Sequence, residues 1–211
     1  MQAYYAARAS EYDRVYLKPE RQTDLRAIEK WVRMQFAGAT VLEIACGTGY
    51  WTQFIAEVAT RVQASDLTPE TLSIAKARVT RLHVEFVIGD AYAPAQFAGR
   101  FSAAFAGFWF SHVPIARRDE FLSTLNGALD PGAKVVLLDN RFVEGSSSAI
   151  AEQDADGNTY QLRTLNDGTT HRVLKNFPSK ADLLSLARRA GTDARVAEWQ
   201  YYWAMEYMTA T

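Results

Sequence analysis

The chain has one cysteine, Cys46. That excludes an internal disulfide framework and a cysteine-based zinc site. An excess of either charge is also missing: 23 Lys and Arg stand against 24 Asp and Glu, a formal net charge of −1. Without a basic excess little would hold a phosphate backbone, so no nucleic-acid partner is expected. No apolar run approaches the roughly 20 residues of a bilayer span, so no membrane partner is expected. The opening MQAYYAARASEYDR is polar and aromatic rather than a signal peptide, which leads us to expect a cytoplasmic protein. No spacing of His, Asp and Glu matches a metal-ligand set, and no metal is expected. No internal repeat occurs. What remains is an ordinary globular composition, 48% hydrophobic and 22% charged over 211 residues, enough for one α/β domain spanning 1–211 with a cap or insertion.

The most informative stretch is VLEIACGTG, Val41 to Gly49. Val41, Leu42 and Ile44 suit a buried strand, and Cys46 to Gly49 is a small-residue turn. Apolar residues resume at helical spacing with Trp51, Phe54, Ile55 and Val58, predicting a helix from about Gly49 to Ala59. Strand, glycine turn and helix start together let backbone N–H groups approach a nucleotide-type ligand. The dinucleotide fingerprint G-x-G-x-x-G is absent, because Ala45 replaces its first glycine and Trp51 and Thr52 stand near its third.

The alternation continues downstream. RVQASD reads as a second strand ending in Asp66, with Thr68 as N-cap and Pro69 opening a helix. LHVEFVIG is a third strand ending at Asp90 and Ala91, and FSAAFAGFWF a buried fourth, followed by Ser111 and His112. AKVVLL is the fifth, ending in Asp139, Asn140 and Arg141. Residues 142–178 are too long for a plain connection. Their second half reads as a β-hairpin turning at Asn166-Asp167-Gly168, a candidate lid with Tyr160, Arg163, His171 and Arg172 as polar candidates. Ser179 caps a last helix, and two aromatic strands close the chain. Residues 1–19 interleave tyrosines with charges and read as an N-terminal helical cap, with Tyr5, Arg8 and Tyr12 near one face.

An acidic residue before the turn, as in E-x-A-C-G-T-G, resembles the class I S-adenosylmethionine-dependent methyltransferases of the small-molecule type, and the Y-Y-x-x-R-A-x-E-Y-D opening resembles their cap. The resemblance implies a Rossmann-like, seven-stranded, mostly parallel α/β sheet of order 3-2-1-4-5-7-6, the last strand antiparallel, with helices on both faces. It also implies S-adenosylmethionine as cofactor, S-adenosylhomocysteine as product, and a small-molecule N or O nucleophile as acceptor. By resemblance, Glu43 helps hold the methionine amino group, Ala45, Gly47 and Gly49 form the turn, Asp66 binds ribose, and Asp90 with Ala91 binds adenine. Phe108 offers its backbone to the methionine end, and Tyr12, Trp51 and Leu67 complete the cofactor set. His112, on the ligand edge of the sheet, is the candidate general base. Substrate candidates are Tyr5, Tyr16, Trp109, Asn140, Arg141 and Tyr160. Other chemistry on the same cofactor (lyase or cyclase type), a nicotinamide-dependent oxidoreductase and a non-enzymatic binding module are the alternatives, and monomer and homodimer both stay open.

Overall fold

The computed structural model describes residues 8–94, 97 and 100–211. In chain order its α-helices are α1 (Gln22–Phe36), α2 (Thr52–Ile55), α3 (Pro69–Arg78), α4 (Arg118–Asn126) and α5 (Lys180–Ala190). Its strands are β1 (Thr40–Ile44), β2 (Arg61–Asp66), β3 (Val84–Ile88), β4 (Ala103–Gly107), β5 (Lys134–Asn140), β6 (Glu152–Gln153), β7 (Thr159–Thr164), β8 (Thr170–Leu174), β9 (Thr192–Glu198) and β10 (Tyr202–Met208). Seven of them form one sheet in the order β3-β2-β1-β4-β5-β10-β9. The first five are parallel, and β10 runs antiparallel to both β5 and β9. This is the Rossmann-like order expected from the sequence.

Side-chain alternation splits the core between the two faces. Val41, Phe105, Val136 and Ala204 face α1, whose Leu25, Ile28, Val32 and Phe36 are fully buried. Leu42, Ile44, Ala104, Leu137 and Trp203 face the other way, onto Phe121, Leu122 and Leu125 of α4 and Leu183 and Ala187 of α5. Burying both faces explains why β4 and β5 read as unbroken apolar runs. Each such Leu or Phe contributes about 1.5–3 kcal/mol, so the central strands form a rigid frame whose carboxyl ends lie along one edge.

Several local expectations are corrected. The helix after the glycine turn stops at Ile55. Val58 O instead accepts from Gly38 N, and Thr60 N donates to Ala39 O, which turns the chain back toward the sheet. Pro19 opens a short 3-10 turn, Pro19–Arg21, and α1 begins only at Gln22. The stretch after Pro114 likewise starts as a 3-10 turn, and its helix ends at Asn126. The Thr68 side chain does not cap α3; the Thr68 N–H and the Thr71 hydroxyl both donate to Asp66 instead. Ser179 does cap α5, in a reciprocal capping box with Asp182.

Residues between β5 and α5 carry a second, three-stranded sheet, β6-β7-β8. The expected hairpin is there, turning at Gly168 with φ +84°. The two-residue β6 was not expected. Among the described residues no helix is long and apolar enough to cross a membrane.

Candidate functional site

The turn after β1 puts three residues in the left-handed region, Ala45 (φ 52°), Gly47 (φ 56°) and Gly49 (φ 75°). At Ala45 this costs about 1–2 kcal/mol, a strain of the kind found at ligand sites. Gly49 is required for space as well, since a Cβ there would sit 3.0 Å from the Cβ of Ala75 on α3. Asp66, at the end of β2, braces this turn. Its Oδ2 accepts from Gly47 N at 2.9 Å, and its Oδ1 accepts from Thr68 N at 2.9 Å and Thr71 Oγ1 at 3.1 Å. The cap is latched onto the same turn: Thr48 Oγ1 donates to Asp13 at 2.6 Å, and Arg78 pairs with Asp13 while donating to Thr48 O at 2.8 Å.

A cavity opens beside the turn, over the carboxyl ends of β1, β2 and β4. Of the expected cofactor residues, Tyr12, Ala45, Gly47, Asp66, Leu67, Asp90, Ala91 and Phe108 all line it, together with Trp109 and His112. Leu67 is 42% exposed there, an apolar surface left open beside a carboxylate. Trp109 adds an indole Nε1 that is buried without a hydrogen-bond partner. Phe108 continues β4 in the left-handed region, φ 61°, with its N–H held by Leu138 O at 2.7 Å.

Glu43, Gly49 and Trp51 do not line the cavity. Glu43 points to the α1 face of the sheet, 1% exposed, with Oε2 lacking a partner. Burial pushes its carboxyl up to about 8 against the opposing influence of the nearby Thr52 hydroxyl, and the Asp66 charge raises it further. The Trp51 indole lies over Gly107, where a Cβ would come within 2.5 Å of its ring. It packs edge-on against Phe108, Tyr16 and Phe105. Tyr16 itself is inside that aromatic stack, parallel to Tyr50 at 3.5 Å, and not in a cavity.

A second cavity of about 330 Å³ adjoins the first. Tyr12, Phe108 and His112 border both. Asn140 lines the second cavity, but Arg141 turns away to Trp199 O and Glu198. Tyr160 lies on the outer face of β7, its hydroxyl on Asp154 and its ring under Arg172. Strand alternation sets it opposite Gln161 and Arg163, which do line the cavity. His171, like Arg172, is absent from the lining, and Tyr5 lies outside the described residues. Among the described residues, six cations, Arg8, Arg14, Lys18, Arg21, Arg163 and Lys175, border this cavity; of these Arg14 pairs with Glu11 and Lys175 with the buried Asp139. Arg21 is fixed by Ser146 and Asn140 and stacks on Tyr201 and Tyr202.

His112 is buried, and its Nδ1 lies 2.5 Å from Leu174 O. A carbonyl only accepts, so Nδ1 carries the proton and the lone pair of the neutral ring is on Nε2. Burial, and then the Lys175 and Arg163 charges, hold the imidazole well below its ordinary range, so it is neutral near pH 7. Beneath it Lys175 Nζ donates to Ser111 Oγ at 2.6 Å and Asp139 Oδ1 at 2.7 Å. Burial alone would raise the Asp139 carboxyl, but Lys175, His112 and its hydrogen bonds hold it down to about 2. Neither Lys175 nor Asp139 was among the expected site residues. The only local hint was the polar run closing the apolar fifth strand.

A family model described as a methyltransferase domain matches residues 41–132. The ubiquinone biosynthesis O-methyltransferase of Xanthomonas axonopodis pv. citri is 29% identical over 163 residues, covering 75% of this chain and 64% of that protein. The demethylmenaquinone methyltransferase of Lactococcus lactis subsp. lactis is 27% identical over 150 residues, 66% of this chain and 58% of that one. The chain thus spans less than two thirds of these curated relatives. Solved structures of DhpI, one with SAH and one with SAM and HEP, match at 30% identity with TM-scores of 0.79 and 0.78, covering 97% of this chain and 93% and 94% of theirs. Magnesium protoporphyrin IX methyltransferase from Synechocystis PCC 6803 shares the fold at 14% identity, with a TM-score of 0.65 over 99% of this chain and 95% of that one.

Proposed function

The chain belongs to the class I S-adenosylmethionine-dependent methyltransferases, and from that premise we propose that it methylates an oxygen or nitrogen of a small, acidic acceptor. The observation that carries the reading is the meeting of two cavities at Tyr12, Phe108 and His112. One has the features a nucleoside cofactor needs, and the other is lined by cations.

The residues fit the cofactor on their own chemistry. Asp66 and Asp90 stand at the ends of β2 and β3, where ribose and adenine polar groups would be held, and Leu67, Ala91 and Trp109 supply an apolar seat for a flat ring. When bound, S-adenosylmethionine supplies a methyl group on a sulfonium, an electrophile that needs only an aligned nucleophile. The protein's part is then alignment, exclusion of water and handling of one proton. Tyr12 and Phe108 wall the junction. The cations of the second cavity orient the acceptor's anionic group. Nε2 of His112 takes the proton of the attacking hydroxyl, or the proton that an ammonium must lose to become the attacking amine. The names of the Xanthomonas relatives favour oxygen.

The test is a panel of hydroxy compounds matched in size, some neutral, some amine-bearing, some with a carboxylate or phosphate, each incubated with methyl-labelled S-adenosylmethionine. Label is expected in the acidic members, with S-adenosylhomocysteine released in equal amount. Label confined to neutral or amine members refutes the acidic acceptor. Failure of both sulfur cofactors to raise the melting temperature refutes the cofactor reading.

A further inference from the structure

The inserted three-stranded sheet reaches the site through three consecutive residues. Leu174 O accepts from His112 Nδ1 at 2.5 Å. Lys175 Nζ bridges Ser111 Oγ and Asp139 Oδ1. Asn176 N donates to Ser111 O at 2.8 Å, and its side chain donates to Val113 O at 3.2 Å. Asp139 closes the ring of contacts by accepting from Ser111 N at 2.9 Å. The side chains of Lys175 and Asp139 are 6% and 0% exposed. A buried ion pair of this kind repays its desolvation poorly and is weak evidence for stability, so its value has to be sought elsewhere. Its position supplies one, because it fastens the Ser111–His112 turn at the border of the second cavity.

We propose that Lys175 is a positioning residue: carried in by the insertion, its ammonium pins Ser111 to Asp139 and so holds the His112 ring against Leu174 O, with Nε2 as the proton-accepting atom. The role rests on reading His112 as the base, and it acts through His112 rather than on the reacting atoms. Among the described residues, the charged groups that bear on the ring are Lys175 and Arg163 from the insertion and Asp139 from β5, and Tyr12 of the cap borders the same cavity. Lys175 therefore has two effects, a fixed tautomer and a nearby positive charge that disfavours the imidazolium.

The chain has three histidines, so the His112 imidazole can be assigned by single substitutions and followed by nitrogen and carbon NMR against pH. In the native protein the spectrum should show Nδ1–H alone. In Lys175→Met, tautomers should mix and the titration should move up by about one pH unit, a tenfold gain in proton affinity. Lys175→Arg, which keeps the charge, should stay nearer the native titration. Lys175→Met leaves a buried carboxylate unpaired. The double variant Lys175→Met/Asp139→Asn removes that carboxylate and keeps the test open if the single variant does not fold; tautomer mixing is expected there too. An unmoved tautomer and titration in a folded Lys175→Met protein would overturn the proposal, as would a Lys175→Arg shift as large as that of Met. Those spectra are independent of turnover. Full turnover in His112→Asn would remove the base while leaving the spectra to judge Lys175.

Discussion

Glu43 offers the sharpest test of the site's electrostatics. Its carboxyl is buried beneath the glycine turn and pushed from 4.5 to about 8 by desolvation. In the unfolded chain the same group ionises near its ordinary value. Folding therefore retains a proton that the unfolded chain loses, and the sign follows: Glu43's contribution is fully present below about pH 4.5 and is lost progressively as pH rises toward 8. The full gap of 3.5 pH units corresponds to about 5 kcal/mol. Local opening and water entry relieve part of it, so a loss of about 3 kcal/mol is expected between pH 5 and pH 8.5. Glu43→Gln preserves the shape and cannot titrate. Its melting temperature should match that of the native protein near pH 5 and exceed it by on the order of 10 °C at pH 8.5. The assay is thermal unfolding of both proteins across that range in matched ionic strength. Parallel curves would refute the reasoning, because they would mean that Glu43 is already ionised in the folded chain or that water reaches Oε2 freely.

Two further outcomes follow from the geometry. Asp66→Asn should weaken S-adenosylhomocysteine binding by about 10- to 100-fold by calorimetry and should also lower the melting temperature, because a charged acceptor bonded to three donors is worth more than its ligand contact alone; unchanged affinity would leave Asp66 with the brace only. His112→Asn should lower turnover by about 10²–10⁴-fold while S-adenosylhomocysteine affinity holds within a few-fold, and full turnover would remove His112 from the chemistry.

The lining of the first cavity was legible because its information is local. A strand, a glycine turn and an acid at the next strand end recur in a fixed order, and Ala45, Gly47, Asp66, Asp90 and Ala91 meet in one cavity for that reason. Glu43 and Trp51 belong to the same motif but face the α1 side, where Thr52 and Gly107 receive them. The motif marks a place along the chain; strand parity decides the face for Glu43, and Trp51 follows the start of α2. Tyr160 shows the same rule in the insertion: one residue of register separates an outward tyrosine from the inward Gln161 and Arg163.

Parity could have gone further at β5. Val135 and Leu137 point into one buried face, and Asp139 follows them at the same spacing. A carboxyl at a buried register position either finds a cation, as Asp139 does, or stays protonated, as Glu43 does, so the sequence marked Asp139 for one of the two. It could not identify the partner, which arrives from 36 residues downstream across a separate sheet. The second cavity extends the point. A net charge of −1 argued only against a nucleic-acid partner, yet among the described residues six cations gather on one concave surface, four from the cap and the chain leading into α1 and two from the insertion. Composition averages charge over the whole chain. Topology concentrates it where cap and insertion meet over the same strand ends, an arrangement that no count of lysines and arginines could reveal.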